Sequence, residues 1–391
     1  MIKHITHIGE SLNLNWRSSL EINTRIVIGR SALKKLPDLL SQIDAGDKIL
    51  LVKPANVLVE ETDRVIEALH DKSISVCLLE IQDGETCKST DWLAKIWETL
   101  HDLEFSRQDT IVAIGGGAVT DIAGFAASTY LRGISLITIP TTLLAQVDAA
   151  IGGKTAINFQ GGKNLIGNYY FAKIIIVDTD TLATLPSNQF ISGLAEVIKY
   201  SFLEKTISSE TDYLIGPKPL LSVLEDSIKN LSWDNDLLPG IIIACIKMKL
   251  AVVGKDPQEL GLRRCLNLGH TLGHALESVT NFKLSHGEAV AIGMAFALHM
   301  AVARGQIGEA DKHRALTLIE AVGLPTKMQE GISASMLVDI LFRDKKREGE
   351  AIKMILPKND LGLVEYKELI KREEIEQVLA QFCETHNLAT N

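Results

Sequence analysis

The sequence lacks the features that mark secreted, membrane-spanning or nucleic-acid-binding chains. Its five cysteines are Cys77, Cys87, Cys245, Cys265 and Cys383. They are odd in number and form no C-x-x-C pair, which predicts reduced thiols rather than a disulfide framework. No run approaches the ~20 apolar residues that span a bilayer, and the polar N-terminus lacks a signal peptide's apolar core. A net charge of −9 argues against a basic surface for nucleic acid or membrane. We therefore expect a soluble, cytoplasmic protein.

What is present is an ordinary globular composition. The chain has 391 residues, of which 46% are hydrophobic and 23% charged, enough for two domains with substantial cores. Residues 1–22 show no clear periodicity and are assigned to an N-terminal extension. Over residues 23–184, runs such as RIVIG, KILLVK and SVCLLEI alternate with helical segments, which predicts a parallel sheet in an α/β domain of the nucleotide-binding type. Residues 185–391 look almost wholly helical and are assigned to a second domain.

Several small and basic residues follow the predicted strands. Gly115–Gly117 end a strand and open a helix, so backbone N–H groups could face a phosphate. A tight strand-to-helix turn would use the same glycines, and the triplet is not the G-x-G-x-x-G fingerprint. Thr141 and Thr142 follow the next strand, at the edge where open α/β sheets bind ligands. Lys154 and Lys163 lie among glycines and suit phosphate or carboxylate, although most lysines are solvated surface residues.

A histidine-rich segment indicates a metal site. His270 and His274 are four residues apart and would share one face of a helix, and His286 follows a turn-rich stretch. Three imidazoles with one carboxylate would suit Zn²⁺. Glu196, three residues before Lys199 in AEVIK, is the candidate acid, because a glutamate among apolar neighbours is costly to bury without a cation. Two alternatives stay open, namely histidines satisfied by hydrogen bonds at a helix contact and a weak Glu196–Lys199 salt bridge.

Seven motifs together indicate a family. GGGAVTDIAGFAASTYLRG, IPTTLLAQVDAAIGGKTAIN, GGKNLIG, GLAEVIKY, GLRRCLNLGHTLGHALE, HGEAVAIGM and RDKK stand in this order. The chain thereby resembles the sugar phosphate cyclase family, most closely its dehydroquinate-forming members, over roughly residues 25–375. The resemblance implies a Rossmann-like NAD-binding α/β domain followed by a mainly α-helical metal- and substrate-binding domain.

The resemblance also implies an activity. It indicates a phosphate-eliminating carbon–oxygen lyase of the shikimate pathway, which turns 3-deoxy-D-arabino-heptulosonate 7-phosphate into 3-dehydroquinate. In that family NAD is recycled within each turnover, the divalent ion is Zn²⁺ or Co²⁺, and the enzyme is a homodimer. The small sugar phosphate would thus be the partner, with neither nucleic acid nor membrane involved.

The resemblance assigns individual residues. Metal ligation falls on Glu196, His270 and His286, so His274 becomes an active-site group instead of a ligand. Catalytic and substrate-binding roles fall on Asp148, Lys154, Asn164, Lys199, Lys249, Glu259, Arg263, Asn267, His274 and Lys346, with Lys345 competing for the last role and Arg132 expected from the neighbouring subunit. NAD contacts fall on Asn56, Glu85, Lys88, Gly115, Gly116, Gly117, Asp121, Thr141, Thr142, Lys154 and Lys163. Where the family has an acidic residue this sequence has Pro54, which leaves the adenosine ribose contact to Glu85.

Three other functions remain under consideration. The first is another cyclase, of the 2-deoxy-scyllo-inosose or amino-dehydroquinate type. Arg263 and Lys249 favour a carboxylated substrate over a neutral sugar, because a carboxylate needs a cationic clamp. The second is an NAD- and metal-dependent polyol dehydrogenase, which would release NADH and have no use for a phosphate pocket. The third is a non-catalytic binding protein, which the intact polar positions disfavour.

Overall fold

The structure is a computed structural model that describes residues 2–8, 11–17, 23–43, 45–55, 59–70, 74–281, 283–329, 331–343, 347–348 and 351–384. The chain divides into two compact units, Met1–Phe190 with Ser232–Pro257, and Ile191–Leu231 with Gln258–Asn391. A domain is a segment that folds as a unit, so the domain boundary expected near residue 184 stays a prediction.

The described elements follow the chain in this order. The strands are β1 (Ile2–Ile8), β2 (Ser11–Arg17), β3 (Asn23–Gly29), β4 (Lys48–Pro54), β5 (Ser75–Ile81), β6 (Thr110–Gly115), β7 (Ser135–Pro140), β8 (Lys154–Phe159), β9 (Gly162–Tyr169), β10 (Ile174–Asp178), β11 (Arg347–Glu348), β12 (Ala351–Lys358) and β13 (Asp360–Lys371). The helices are α1 (Leu36–Leu40), α2 (Val59–His70), α3 (Thr90–Asp102), α4 (Gly117–Thr129), α5 (Ser187–Ser201), α6 (Glu204–Glu210), α7 (Leu220–Ser227), α8 (Leu238–Lys255), α9 (His270–Val279), α10 (His286–Ala303), α11 (Glu309–Glu320), α12 (Ala334–Arg343) and α13 (Arg372–Glu384).

The first unit is built on an eight-stranded sheet of order β1-β2-β3-β10-β7-β6-β4-β5. From β3 to β5 every neighbouring pair is parallel. Strands β6 and β7 are buried along their whole length, as expected for runs of valine and isoleucine covered on both faces. The predicted parallel sheet is therefore confirmed. Residues 2–8 and 11–17, which the sequence assigns to an extension, form strands that continue the sheet in antiparallel fashion beside β3.

The carboxyl ends of the parallel strands carry the candidate nucleotide residues. β4 ends at Pro54, β6 at Gly115 and β7 at Pro140, and parallel strands end at the same edge of a sheet. After β7 the chain enters a π-helical turn, Ala145–Ala149, a rare conformation that is frequent at functional sites. The topology thus brings these loops together as the sequence predicts.

The second unit is mainly helical, in agreement with the prediction, but it also holds a small sheet that the sequence analysis missed. Strands β11, β12 and β13 pair in antiparallel fashion, with Asn359 at a backbone φ of 68° between β12 and β13. The short apolar run of β12 fits a buried strand and a buried helix equally well, so the spacing of apolar residues does not distinguish the two.

Helix α10 is apolar enough to resemble a membrane span. Its 18 residues have a mean hydropathy of 1.3, and 72% of them are buried within the fold. Within the second unit it contacts α9, α11, α13 and β12. The core helix of a globular protein has the same composition, and the burial of α10 within the fold fits that description.

Candidate active site

The turn from β6 into α4 requires glycine. Gly115 has a backbone φ of 154°. A Cβ on Gly116 would be 3.2 Å from Thr142 Cγ2, and one on Gly117 would be 2.9 Å from Ala149 Cβ. Gly116 is also the N-cap of α4, whose first N–H groups have no partner within the helix. The turn therefore presents backbone donors to an anion at the carboxyl edge of the sheet.

Lys88 is the centre of a polar cluster next to this turn. It is 4% exposed, and its Nζ lies 2.5 Å from Asp121 Oδ2 and also contacts Asn164 Oδ1. Burial lowers the pKa of Lys88, but the neighbouring carboxylates of Asp121 and Glu85 outweigh burial and raise it. The lysine is therefore charged. Lys88, Asp121 and Asn164, all predicted as site residues, are in direct contact.

A hairpin that the sequence analysis missed, formed by β8 and β9, completes this cluster. Asn158 Nδ2 donates to Glu85 Oε1 at 2.9 Å, and its Oδ1 accepts from the backbone N–H of Asn164 at 2.9 Å. Lys163 Nζ lies 4.0 Å from Glu85 Oε1. Asn158 was not predicted, and only its place before the glycine pair of NFQGG could have indicated it. It connects predicted NAD contacts with a predicted substrate contact.

The strand ends place the remaining predicted nucleotide residues. Thr141 is 3% exposed and donates its N–H to the Gly115 carbonyl at 3.0 Å, while Thr142 Oγ1 accepts from Ala145 N at 3.2 Å. A Cβ on Gly115 would be 3.3 Å from Pro54 Cδ, so Pro54 covers the turn without offering a carboxylate. Asn56 and the two lysines of RDKK, Lys345 and Lys346, lie outside the described residues.

Helix α8 brings a second cation to the first unit. Lys249 is 5% exposed, and its Nζ is 2.6 Å from Asp148 Oδ1 in the π-helical turn. Lys154, the first residue of β8, is exposed. Arg132 is exposed and has a backbone φ of 66°. Lys249 and Asp148 are thus one ion pair made by residues about a hundred positions apart.

The second unit holds the candidate metal ligands. Glu196 on α5 is fully buried and Lys199 is 1% exposed, with Lys199 Nζ in contact with Glu196 Oε2. The i,i+3 salt bridge between Glu196 and Lys199 considered above is therefore present, and both of its partners are buried. The Nε2 atoms of His270 and His286 each lie 3.6 Å from Glu196 Oε1. In a tetrahedral site with bonds of about 2.1 Å, ligand atoms stand about 3.4 Å apart, so these three donors fit a divalent ion.

Tight contacts of α10 hold this trio in place. Ser285 caps α10 in a reciprocal capping box with Glu288, which sets the backbone of His286. The next residue, Gly287, donates its N–H to Ser192 Oγ at 3.0 Å, and a Cβ there would be 2.2 Å from the Ser192 carbonyl oxygen. Because Ser192 is one helical turn before Glu196 on α5, this contact aligns the carboxylate with the imidazole.

The histidines differ in charge and position. Burial and the charge of Lys199 lower the pKa of His270, which keeps its nitrogen available as a ligand. Burial also lowers the pKa of His286, but hydrogen bonds with Glu196 and Glu277 reverse this and raise it to about 9 for the chain by itself. His274 has its ring centroid 5.4 Å from that of His270, yet the three side chains whose donor atoms lie close enough to hold a metal ion are Glu196, His270 and His286. The three-histidine shell suggested by spacing is therefore not what the fold assembles.

The segment before α9 holds the last predicted residues. Arg263 is fully buried in the short helix Leu262–Asn267. Asn267 Nδ2 is 2.5 Å from Glu259 Oε1, and Glu259 has a backbone φ of 60°. One further residue, Glu277, was missed by the sequence analysis although it lies 3.2 Å from His286 Nδ1. Its spacing of seven from His270 was the available signal.

Comparison with known proteins identifies the family. Models described as 3-dehydroquinate synthase N-terminal and 3-dehydroquinate synthase C-terminal match residues 78–192 and 193–347. A 3-dehydroquinate synthase of Desulforamulus reducens is 38% identical over 358 residues, which are 91% of this chain and 96% of that one. Another from Nostoc punctiforme is 37% identical over 367 residues, 92% of this chain and 96% of that one.

Solved structures agree on the fold. A 2-epi-5-epi-valiolone synthase from Streptomyces hygroscopicus subsp. jinggangensis with NAD⁺ and Zn²⁺ bound is 25% identical, with a TM-score of 0.82 and coverage of 98% of this chain and 99% of that one. A 2-deoxy-scyllo-inosose synthase complexed with carbaglucose-6-phosphate, NAD⁺ and Co²⁺ is 25% identical, with a TM-score of 0.80 and coverage of 94% and 99%. A glycerol dehydrogenase from Schizosaccharomyces pombe, 16% identical at a TM-score of 0.66 over 93% of this chain and 90% of that one, shares the fold alone. From the two matching domain models and the relatives that span nearly all of it, the chain belongs to the 3-dehydroquinate synthase family.

Proposed function

We propose that this chain converts 3-deoxy-D-arabino-heptulosonate 7-phosphate into 3-dehydroquinate and phosphate. The observation that carries the proposal is the buried trio of Glu196, His270 and His286 with Lys199 against its carboxylate, in a chain that matches 3-dehydroquinate synthases over more than nine-tenths of its length. The enzyme is a phosphate-eliminating lyase that depends on NAD and a divalent ion.

Glu196, His270 and His286 would hold Zn²⁺ or Co²⁺, the ions named for two structural relatives. When bound, NAD⁺ would supply reversible hydride transfer with a substrate alcohol, and the metal ion would supply a Lewis acid that lowers the pKa of the substrate hydroxyl. Lys199 places a buried positive charge beside the ligand carboxylate. That charge is suited to stabilise negative charge on a substrate oxygen.

The NAD contacts would come from the first unit. The glycine turn of Gly115–Gly117 offers helix N-terminal donors to the pyrophosphate. Because Pro54 has no carboxylate, Glu85 takes the adenosine ribose hydroxyls, and Asn158 holds it in place. Lys88, Asp121, Thr141, Thr142 and Lys163 complete the set.

The substrate anions need cations. Lys154 suits the phosphate because an exposed lysine is a mobile point charge, while the Lys249–Asp148 pair holds a buried ammonium at a set place. Arg263 provides a planar fork for the carboxylate. The departing phosphate can itself take the proton from the carbon next to the transient ketone, so these residues need to bind and orient rather than to act as a dedicated base.

We further propose a cytoplasmic homodimer in which Arg132 serves the neighbouring subunit. Two observations support it. Arg132 is exposed on a turn with left-handed backbone, and the β8–β9 hairpin exposes apolar side chains, with Leu165 at 59% and Tyr169 at 40%. Mixing Arg132→Ala and Lys199→Ala subunits should restore part of the activity that each variant lacks. If the mixture stays inactive while the subunits exchange, Arg132 does not act across an interface.

The deciding experiment measures phosphate release from 3-deoxy-D-arabino-heptulosonate 7-phosphate with Zn²⁺ and a catalytic amount of NAD⁺, while NADH absorbance is followed. Stoichiometric phosphate without net NADH is the expected result. Accumulating NADH would instead indicate a polyol dehydrogenase. If no phosphate is released, the result would point to another sugar phosphate as the substrate. Similarity supports that alternative less, because the cyclases of other sugar phosphates are 25% identical to this chain and the dehydroquinate synthases are 37–38% identical.

A further inference from the structure

Glu277 is a buried acid to which the proposed function gives no role. It lies on α9 with 2% of its surface exposed, seven residues after His270. Seven residues are almost two helical turns, so Glu277 and His270 share one face of α9. Burying a carboxylate this deeply costs free energy unless the carboxylate is paired, so the contacts of Glu277 indicate its role.

The contact of Glu277 is with a candidate metal ligand. Its Oε1 lies 3.2 Å from Nδ1 of His286, while Nε2 of the same ring lies 3.6 Å from Glu196 Oε1. A carboxylate at Nδ1 accepts a hydrogen bond, which places the ring proton on Nδ1 and leaves the lone pair of Nε2 directed at the metal site. The ring is thus held between two carboxylates on opposite sides.

The other imidazole is held differently. Nδ1 of His270 lies 3.2 Å from the backbone carbonyl oxygen of Leu268, and its Nε2 is also 3.6 Å from Glu196 Oε1. A carbonyl fixes the same tautomer but carries no net charge. The two histidines are therefore not equivalent, because Nδ1 faces a carboxylate in His286 and an uncharged carbonyl in His270.

We propose that Glu277 is a positioning residue for the metal, acting through His286. By accepting a hydrogen bond from Nδ1–H, the Glu277 carboxylate fixes the ring's orientation and makes Nε2 a stronger electron-pair donor to the metal. Glu196, which contacts Lys199, and Glu277, which contacts His286, are both buried carboxylates, and a divalent cation bound near them would stabilise their charge. The inference rests on the metal site of the proposed function and deepens it.

The test compares two variants by their affinity for metal. Glu277→Gln keeps the shape and an acceptor oxygen but loses the charge, and Glu277→Ala loses the acceptor as well. The Zn²⁺ dissociation constant is measured by chelator competition, and the visible absorption spectrum of the Co²⁺-loaded protein reports on the ligands. We expect Zn²⁺ affinity to fall about 10- to 100-fold, more for alanine than for glutamine, with a changed Co²⁺ spectrum.

Glu204→Gln is the matched control. Glu204 is 3% exposed, lies in the same unit on α6, and accepts hydrogen bonds from Tyr213 Oη at 3.0 Å and Leu220 N at 2.7 Å. Glu204→Gln should change the unfolding temperature of the protein and leave its Zn²⁺ dissociation constant unchanged. If Glu204→Gln lowers the Zn²⁺ affinity as much as Glu277→Gln does, the loss is a general effect of removing a buried acid, and the inference is overturned.

The outcomes distinguish failure of the proposed metal site from failure of the role of Glu277. If the wild-type protein binds neither Zn²⁺ nor Co²⁺, the proposed metal site fails and the role of Glu277 fails with it. If the wild type binds metal and the Glu277 variants bind it equally well with an unchanged Co²⁺ spectrum, only the positioning role is overturned. Should Glu277→Ala not fold, Glu277→Gln decides, since its shape matches that of the native residue.

Discussion

Gly293 of α10 touches the backbone of Gly269, since a Cβ at position 293 would stand 1.9 Å from the Gly269 carbonyl oxygen. Gly273, one turn into α9, has its own close neighbour on α10, with the Ala289 carbonyl oxygen 3.1 Å from a Cβ placed there. The two helices therefore pack with their backbones in contact. His270 is the first residue of α9 and His286 the first of α10, so this packing decides the distance between two of the proposed metal ligands.

Gly293→Ala should destabilise the protein because its methyl group has no room beside the Gly269 carbonyl. We expect a loss of about 3 kcal/mol of unfolding free energy and weaker Zn²⁺ binding, measured by thermal unfolding and chelator competition. Gly240→Ala is the control, because within the described part of the chain no heavy atom other than those of its sequence neighbours and its own helix backbone lies within 4 Å of the added Cβ. It lies in α8, where alanine should stabilise by about 0.5 kcal/mol. Equal unfolding temperatures for both variants would contradict the packing argument.

Glu196→Gln and His286→Ala should each abolish metal binding together with activity, since the first removes the negative charge of the proposed ligand and the second removes the ligand nitrogen. The fall in Zn²⁺ affinity should exceed the roughly 10- to 100-fold loss expected for an outer partner. Metal content after gel filtration and phosphate release measure the two effects. A variant that retains both stoichiometric metal and turnover would remove that residue from the set of ligands.

Lys199→Ala should separate binding from chemistry. The ammonium contacts the ligand carboxylate but donates nothing to a metal, so Zn²⁺ should stay bound. Turnover should fall about 10²- to 10³-fold, as when one stabilising charge is removed from a transition state. The measurement is kcat at saturating substrate with metal content determined in the same sample. Unchanged kinetics would overturn the role of Lys199.

Asp109→Asn should lower stability in a pH-dependent way. Burial raises the pKa of Asp109, but hydrogen bonds that its carboxylate accepts, from Ser106 N at 2.6 Å and Lys48 N at 3.0 Å, outweigh burial and lower the pKa. A lowered carboxyl pKa stabilises the fold above the unfolded value, near pH 4, and this gain is lost as pH falls through the folded value.

The variant should therefore be about 1–3 kcal/mol less stable than wild type at neutral pH, and the difference should shrink below about pH 4. Thermal unfolding across this range measures it. The exposed Asp102, changed to asparagine, is the control and should show no such dependence. A difference between Asp109→Asn and wild type that stays constant with pH would contradict the assignment.

Local features of the sequence determined much of this protein. Runs of β-branched residues alternate with segments of helical periodicity, and this pattern predicted the parallel sheet. The spacing of apolar side chains is a property of residues close together in the chain, so it can be read from the sequence. The glycines at 115–117 predicted the turn into α4. At Gly115 the reason is local, because its backbone φ of 154° favours a residue without Cβ, whereas at Gly116 and Gly117 it is the close approach of Thr142 and Ala149. The spacing of His270 and His274 predicted a shared helical face, which α9 confirms.

Only the tertiary structure decided which of those residues meet. Helix period brings His274 beside His270, yet packing of α5 and α10 completes the trio with Glu196 and His286. The same holds for Glu277 at His286, and for Lys249 at Asp148 across about a hundred positions. Periodicity and propensity report the direction of a side chain from its own element, whereas contacts between distant elements depend on how whole helices and strands fit together. The sequence therefore determined the parallel strands, the helices between them and the kinds of donor, while packing determined the site.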